Sequence, residues 1–225
     1  MVDELTKKLL AEFDPQPLRP EDQPDLRVEL DEERSGDDGV AARISRRILN
    51  SFKPTHHVVA GHRGSGKSTE LLRVKQELER SKPPIFTTYA DLSTDVDYND
   101  IDLLDVLVAM VRHLAEDLKN RADIKLKPGY LRDRIERLWK VLKSDVELES
   151  FDLPTLVGEL SIAIKGSPDA RSELRKAFEP DAGNWLKAVN DVIDEARSEL
   201  IKRKFDGLCI IVDDLDKLNR VIHTQ

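Results

Sequence analysis

The chain has 225 residues, 39% of them apolar and only 5% aromatic, so its core must be mainly aliphatic and its length suits one domain with a small appendage. With 44 acidic against 36 basic side chains it carries a formal charge of −8, which argues against sequence-independent nucleic-acid binding, a task that needs clustered lysines and arginines. The single cysteine, Cys209, excludes an intrachain disulfide and argues against a Cys-based zinc site; MVDELTKKLLAEF lacks the order of a signal peptide and no apolar run reaches bilayer length, which together predict a cytoplasmic chain with no membrane partner.

Along the chain, Leu5, Leu9, Leu10 and Phe13 recur at helical spacing and predict a short amphipathic helix over residues 2–13. DPQPLRPEDQPD comes next, with four prolines in twelve residues; proline fixes φ and removes an amide donor, so this is an extended linker. Residues 1–24 thus read as helix plus linker, ahead of a domain spanning 25–225. LRVEL (26–30) alternates as a short strand does, and Val40, Ile44, Ile48 and Phe52 place one apolar stripe on a helix over 37–52, stopped by Pro54. HHVVA (56–60) reads as a buried strand, and residues 67–80, with Leu71, Val74 and Leu78 on one face, as a helix broken by Lys82-Pro83-Pro84. IFTTYADL (85–92) is the next predicted strand. Helices are predicted over 102–119 and 130–143, a strand at Leu160, Ile162 and Ile164, and helices over 168–178 and 184–204. Gly207 ends the last of these, and LCIIV (208–212) comes after it as an apolar strand. Nearly all-apolar strands joined by helices predict an α/β fold with a parallel sheet covered by helices on both faces, and a mostly helical elaboration over 127–200.

The most specific segment is Gly61-His62-Arg63-Gly64-Ser65-Gly66-Lys67-Ser68, which fits G-x-x-x-x-G-K-[ST]. The glycines permit backbone conformations that other residues avoid and let amides approach an anion closely. Consecutive N–H groups then form a nest for a β-phosphate at the positive end of the next helix. Lys67 adds a point charge at the β/γ-phosphates, the Ser68 hydroxyl has the chemistry to take one position on Mg²⁺, and Thr69 offers a second hydroxyl near the α-phosphate. His62 and Arg63 fill the free positions, as solvent-facing residues of the same binding loop, and His56 and His57 have no metal-ligand spacing. A chance match to the four fixed positions is expected about once in a hundred chains of this length.

A phosphate loop needs a carboxylate at the end of a neighbouring strand to organise the magnesium shell. Leu208-Cys209-Ile210-Ile211-Val212-Asp213-Asp214 has that form, five apolar residues leading into two acids. An apolar strand carries such charges to its C-terminal edge, where open α/β sheets bind ligands. Asp213 is assigned to the magnesium shell through water, and Asp214 to the water that attacks a γ-phosphate. The competing reading is an acidic turn that closes a buried strand and caps the next element. Asp216 and Lys217 suit capping or a surface ion pair equally well. Asp91, at the end of the 85–92 strand, reads as a cap or turn residue that also stands near the strand ends.

With both segments in view, the chain resembles a P-loop NTPase of the class with a strand inserted between its two Walker strands, which includes the AAA+ and STAND ATPases. GHRGSGKSTEL and IIVDDLDKL are similar to the corresponding motifs of bacterial STAND-like and KAP-like ATPases, and the 37–52 helix is similar to the N-terminal helix that packs near the adenine in such proteins. The likeness extends over about residues 25–220 and is weak in the helical middle. It implies a three-layer P-loop NTPase sheet, ATP and Mg²⁺ as ligands, catalytic roles for Lys67 and Asp214, and a nucleotide-driven switch or assembly device with a homo-oligomeric or protein partner. ATP rather than GTP comes from the resemblance alone, as does the expectation that the sensor strand, arginine finger and lid of the family fall beyond Gln225, so that this is either a fragment of a longer protein or a short chain that cannot complete the site alone; a neighbouring subunit can supply an arginine finger, a sensor strand less easily. Asp214 stands where many of these ATPases have Glu; its shorter side chain implies slow turnover. Two alternatives are a non-hydrolysing nucleotide-binding scaffold and a DNA-associated AAA+-like ATPase, the second disfavoured by the acidic balance. A small-molecule kinase fits less well, since no lid or acceptor motif is recognisable.

Overall fold

The computed structural model describes residue 17 and residues 39–97, 100–126, 129–142 and 152–215. The helix expected over 2–13, all but Pro17 of the proline-rich linker, the strand expected at 26–30, and Asp216 and Lys217 lie outside the described residues. The chain divides into two units, Met1–Glu77 and Leu78–Gln225, and the boundary falls within one helix.

In the first unit, α1 spans Val40–Leu49 and α2 begins at Lys67 and runs to Arg80. Helix α1 buries its small residues, Ala41 and Ser45, and ends on Arg46 and Arg47, cations that suit the negative end of the helix dipole. It stops earlier than the apolar stripe predicts. The Ser51 hydroxyl donates to the Lys53 carbonyl at 2.7 Å and accepts from the Lys53 amide at 3.2 Å, a local turn that competes with helix, and Phe52 is left fully exposed. The strand expected at 56–60 is a second correction: the segment has no ladder and Val58 is 94% exposed. Two β-branched residues supply strand propensity, but a strand also needs a neighbour, and no described residue pairs with this one.

The second unit is built around two parallel strands, β1 (Ile85–Asp91) and β2 (Gly207–Asp213), in register from Ile85↔Gly207 to Asp91↔Asp213. Between them run a 3₁₀ turn (Leu92–Thr94), α3 (Leu103–Ala122), α4 (Gly129–Leu142), α5 (Leu153–Gly166), α6 (Pro168–Phe178), a second 3₁₀ turn (Glu179–Asp181) and α7 (Ala182–Lys202). The starts of these helices carry their own signals. Asp102 and Asp105 form a reciprocal capping box for α3; the Asp152 side chain accepts from the Thr155 amide at α5, and Ser167 caps α6 just before Pro168.

The even-numbered face of the sheet is covered by helices. Phe86, Leu208 and Ile210 pack with Leu114 and Leu118 of α3 and Ala196 and Leu200 of α7. Nearer the strand ends, Val212 packs with Leu92, Val96, Ile101 and Ala109. The larger core lies among the helices, where Leu107, Val111, Ile135, Trp139, Leu156, Leu160 and Trp185 are buried together. At roughly 1.5–3 kcal/mol for each large apolar side chain buried, this cluster supplies more hydrophobic stabilisation than the sheet.

The strand expected at Leu160, Ile162 and Ile164 is a third correction. These residues belong to α5, whose buried set, Leu153, Leu156, Val157, Leu160 and Ile164, follows the helical period and leaves Ile162 68% exposed. Residues 208–210 of β2 are half-buried rather than enclosed, because among the described residues β2 pairs with β1 alone. The architecture is mixed α/β and mostly helical, with a two-stranded parallel sheet packed against helices. Among the described residues no helix is long and apolar enough to cross a membrane.

Candidate functional site

The glycine loop lies in the first unit and passes directly into α2. Gly64 and Gly66 have φ of 78° and 84°, the left-handed region that side-chain-bearing residues avoid. Ser65 donates its amide to the His62 carbonyl at 3.1 Å, closing a turn, and the Glu70 amide reaches the Gly66 carbonyl at 3.0 Å, the first helical bond of α2. The first turn of α2, with Lys67, Ser68 and Thr69, therefore presents amides at the positive end of the dipole. Lys67 Nζ donates to the carbonyls of Gly61 and His62 at 3.1 and 3.3 Å, so the ammonium lies over the loop. A Cβ on Gly61 would stand 2.8 Å from Ser65 Oγ, so the loop is drawn tight at its start. His62 and Arg63 are exposed, as the free positions of the motif predict.

Beside the loop is a cavity of about 540 Å³. One wall is α1, through Val40, Arg43, Ile44 and Arg47; the others are the extended segment His57–Ala60, the loop residues Gly61, His62 and Ser65, and Lys67 and Glu70 of α2. Glu70 fixes the start of α1 against α2: its carboxylate accepts from the Ala41 amide at 3.2 Å and from Arg73 at 3.2 and 3.3 Å. The apolar stripe of this helix is thus in part a cavity wall, and the closely packed face is that of Ala41 and Ser45.

In the second unit, the register of β1 and β2 sets Asp91 and Asp213 side by side at the C-terminal edge of the sheet. Their environments differ. Asp91 accepts from the Ser93 amide at 2.8 Å and caps the 3₁₀ turn, as its sequence position predicts. Asp213 is 6% exposed; its Oδ2 accepts from the Tyr89 hydroxyl at 2.5 Å and its Oδ1 from the Asp214 amide at 2.8 Å. No described cation pairs with it. Asp214 leaves the strand at φ 64°, a conformation that short polar residues tolerate better than others, and is half-buried.

Sequence reasoning misses two groups here. One is Tyr89, which reaches Asp213 only because the strands are parallel and in this register. The other is centred on Asp95, 5% exposed, just past the turn after β1. Arg112 Nη2 and His113 Nε2 of α3 stand 2.5 and 2.7 Å from its two oxygens, and Ser161 of α5 donates at 3.2 Å. Burial raises the pKa of this carboxyl, but the hydrogen bonds and charges of His113 and Arg112 outweigh it and hold the group down at about 2. A second network, in which Arg171 of α6 reaches Asp97 and Asp100 at 3.1 and 2.9 Å, ties the segment after β1 to the helices. Neither network leaves a sequence signal, since the partners lie 17 to 74 positions apart.

The donors present suit the ligands that the loop suggests. In the first unit, positive-φ glycines, a helix start, Lys67 and the Ser68 hydroxyl have the chemistry for a magnesium-bound polyphosphate; in the second, Asp213, a buried carboxylate with no cation beside it among the described residues, has the chemistry for a hydrated cation. Among the described residues no group of three or more His, Cys, Asp or Glu side chains is placed to hold a metal alone. Comparison of the chain with protein-family models, with curated proteins and with solved structures finds no match.

Proposed function

We propose that this chain is an ATP-binding, Mg²⁺-dependent P-loop module that uses its nucleotide state as a switch or an assembly signal. The observation that carries the reading is the loop itself: Gly64 and Gly66 at positive φ, leading into α2 with Lys67 over the turn and a nucleotide-sized cavity beside it. On this reading the amides of residues 61–69 and the Lys67 ammonium bind the phosphates and Ser68 serves the magnesium; the sequence motif alone assigns Asp213 to the magnesium shell, through water. Asp214 orients the attacking water. The three-layer P-loop sheet and the kinship with STAND-like and AAA+-like ATPases belong to the same proposal, as does a homo-oligomeric or protein partner.

Calorimetric titration of the full chain with Mg-ATP and Mg-ADP, followed by phosphate release from the same sample, tests it. Binding that Lys67→Ala weakens at least tenfold is the expected result, a loss of about 1.4 kcal/mol or more. Turnover abolished by Asp214→Asn with binding retained identifies an ATPase; binding without turnover identifies a scaffold. A folded chain that binds neither nucleotide refutes the proposal.

A further inference from the structure

The cavity beside the glycine loop holds more positive charge than a phosphate loop accounts for. Val40, Arg43, Ile44 and Arg47 lie at i, i+3, i+4 and i+7, so a single stripe of α1 brings two apolar and two cationic side chains to the cavity wall. Arg43 and Arg47 are exposed, and no described residue pairs with either. That is unexpected in a chain with 44 acids against 36 bases. The one acid of the cavity wall, Glu70, is already engaged by the Ala41 amide and Arg73. Like charges one helical turn apart repel, so the pair weakens α1 unless an anion lies across it. Guanidinium groups are suited to that anion when it is a phosphate, which they bind through two parallel N–H donors.

We infer that Arg43 and Arg47 form a second phosphate-binding arm of this cavity, so that it selects ligands by the number of phosphates they carry. The inference rests on the nucleotide reading above and names two residues that the loop motif does not contain. The loop and Lys67 hold one part of the phosphate chain and the arginine pair another. Affinity therefore rises with chain length from AMP to ATP more steeply than the loop alone provides. Val40 and Ile44, alternating with the arginines, leave an apolar strip for the nucleoside.

The experiment measures the affinities of AMP, ADP, ATP and inorganic tripolyphosphate for the full chain, with Arg43→Gln, Arg47→Gln and the double variant beside Lys67→Ala, at several salt concentrations. Each glutamine substitution is expected to weaken ATP and tripolyphosphate on the order of tenfold, to leave AMP within about threefold, and to flatten the dependence of log affinity on log salt. Arg→Lys variants should recover most of the salt dependence and part of the affinity. Both arginines are exposed, so these variants should fold; if the double variant does not, the single variants carry the comparison. ATP binding that falls with Lys67→Ala but not with either arginine variant overturns this inference and leaves the nucleotide reading standing. An equal loss for AMP and ATP also overturns it, since the arginines would then contact the nucleoside. No nucleotide binding by folded wild-type chain overturns both.

Discussion

Replacing Asp213 with asparagine should cost this protein little or no stability. The carboxylate is 6% exposed, and its two hydrogen bonds come from the Tyr89 hydroxyl at 2.5 Å and the Asp214 amide at 2.8 Å. Each such bond to a charged acceptor contributes about 1.5–3 kcal/mol, so the two together roughly offset the several kcal/mol that taking a carboxylate out of water costs, although no described cation pairs with it. Asparagine has nearly the same shape. Its carbonyl oxygen keeps the Asp214 amide and its NH₂ donates to the Tyr89 oxygen, so both contacts survive without the charge. The expected change is within about 1 kcal/mol of zero at neutral pH. Tyr89→Phe should cost about 1.5–3 kcal/mol by leaving a buried carboxylate oxygen without a donor. In the Asp213→Asn background that cost should shrink to roughly 1 kcal/mol, a coupling that a double-mutant cycle measures. Urea unfolding followed by the fluorescence of Trp139 and Trp185, buried in the helical core, reads all four proteins, and unchanged m values are required for the comparison. The reasoning fails if Asp213→Asn destabilises by more than about 1 kcal/mol, or if Tyr89→Phe costs the same in both backgrounds.

The second unit supplies three more tests. The Asp95 carboxyl, held at about 2 against an ordinary 3.8, stabilises the fold fully above about pH 4 and loses that contribution as pH falls through 2. The full shift is worth roughly 2.5 kcal/mol, and because Arg112 and His113 are about one-fifth exposed, about 1–2 kcal/mol remains after solvent screening. The wild-type advantage over Asp95→Asn in urea unfolding should thus be present at pH 4 and shrink below it; a constant difference from pH 4 down to pH 2 contradicts the assignment. Burial pushes the Cys209 thiol up to about 11, so a thiol reagent at pH 8 should label the native protein far more slowly than the urea-unfolded chain, and equal rates would refute the placement of β2. Leu160→Ala should cost about 3–5 kcal/mol, while Ile162→Ala, at a 68% exposed position of the same helix, should cost under about 0.5 kcal/mol; comparable losses would favour a strand over the helix.

Long helices are legible in the sequence because their signal repeats. Residues 103–122 and 182–202 carry five or six turns of the 3.6 period, and their starts and ends fall close to where that pattern begins and stops. The segment around Leu160 is not, because five residues are too few to separate a period of 2 from 3.6; the wider set from Leu153 to Ile164 does separate them. HHVVA shows a different limit. Strand propensity is a statement about fit to a neighbour, and nothing within the segment says which neighbour is there. The contacts around Asp95 and Arg171 are invisible for the same reason, since each joins residues whose separation in the chain obeys no period.

The candidate site divides in the same way. The glycine loop is legible down to single residues because its geometry is local. Eight consecutive positions contain the two glycines that adopt positive φ and the lysine that reaches back over the turn. The place of Arg43 and Arg47 on the cavity wall is not, although they are as plain in the sequence as Val40 and Ile44. A stripe of apolar residues on a helix is ordinarily its core face, and that assumption assigns the flanking arginines to solvent. In α1 the packed face is instead Ala41 and Ser45, small enough for close contact, with the Ala41 amide on Glu70, and the apolar stripe is turned to a cavity. Two apolar and two cationic residues interleaved on one stripe are a poor surface for either a dry core or open water. They suit an amphiphilic ligand with an apolar ring and an anionic chain, the chemistry of a nucleotide.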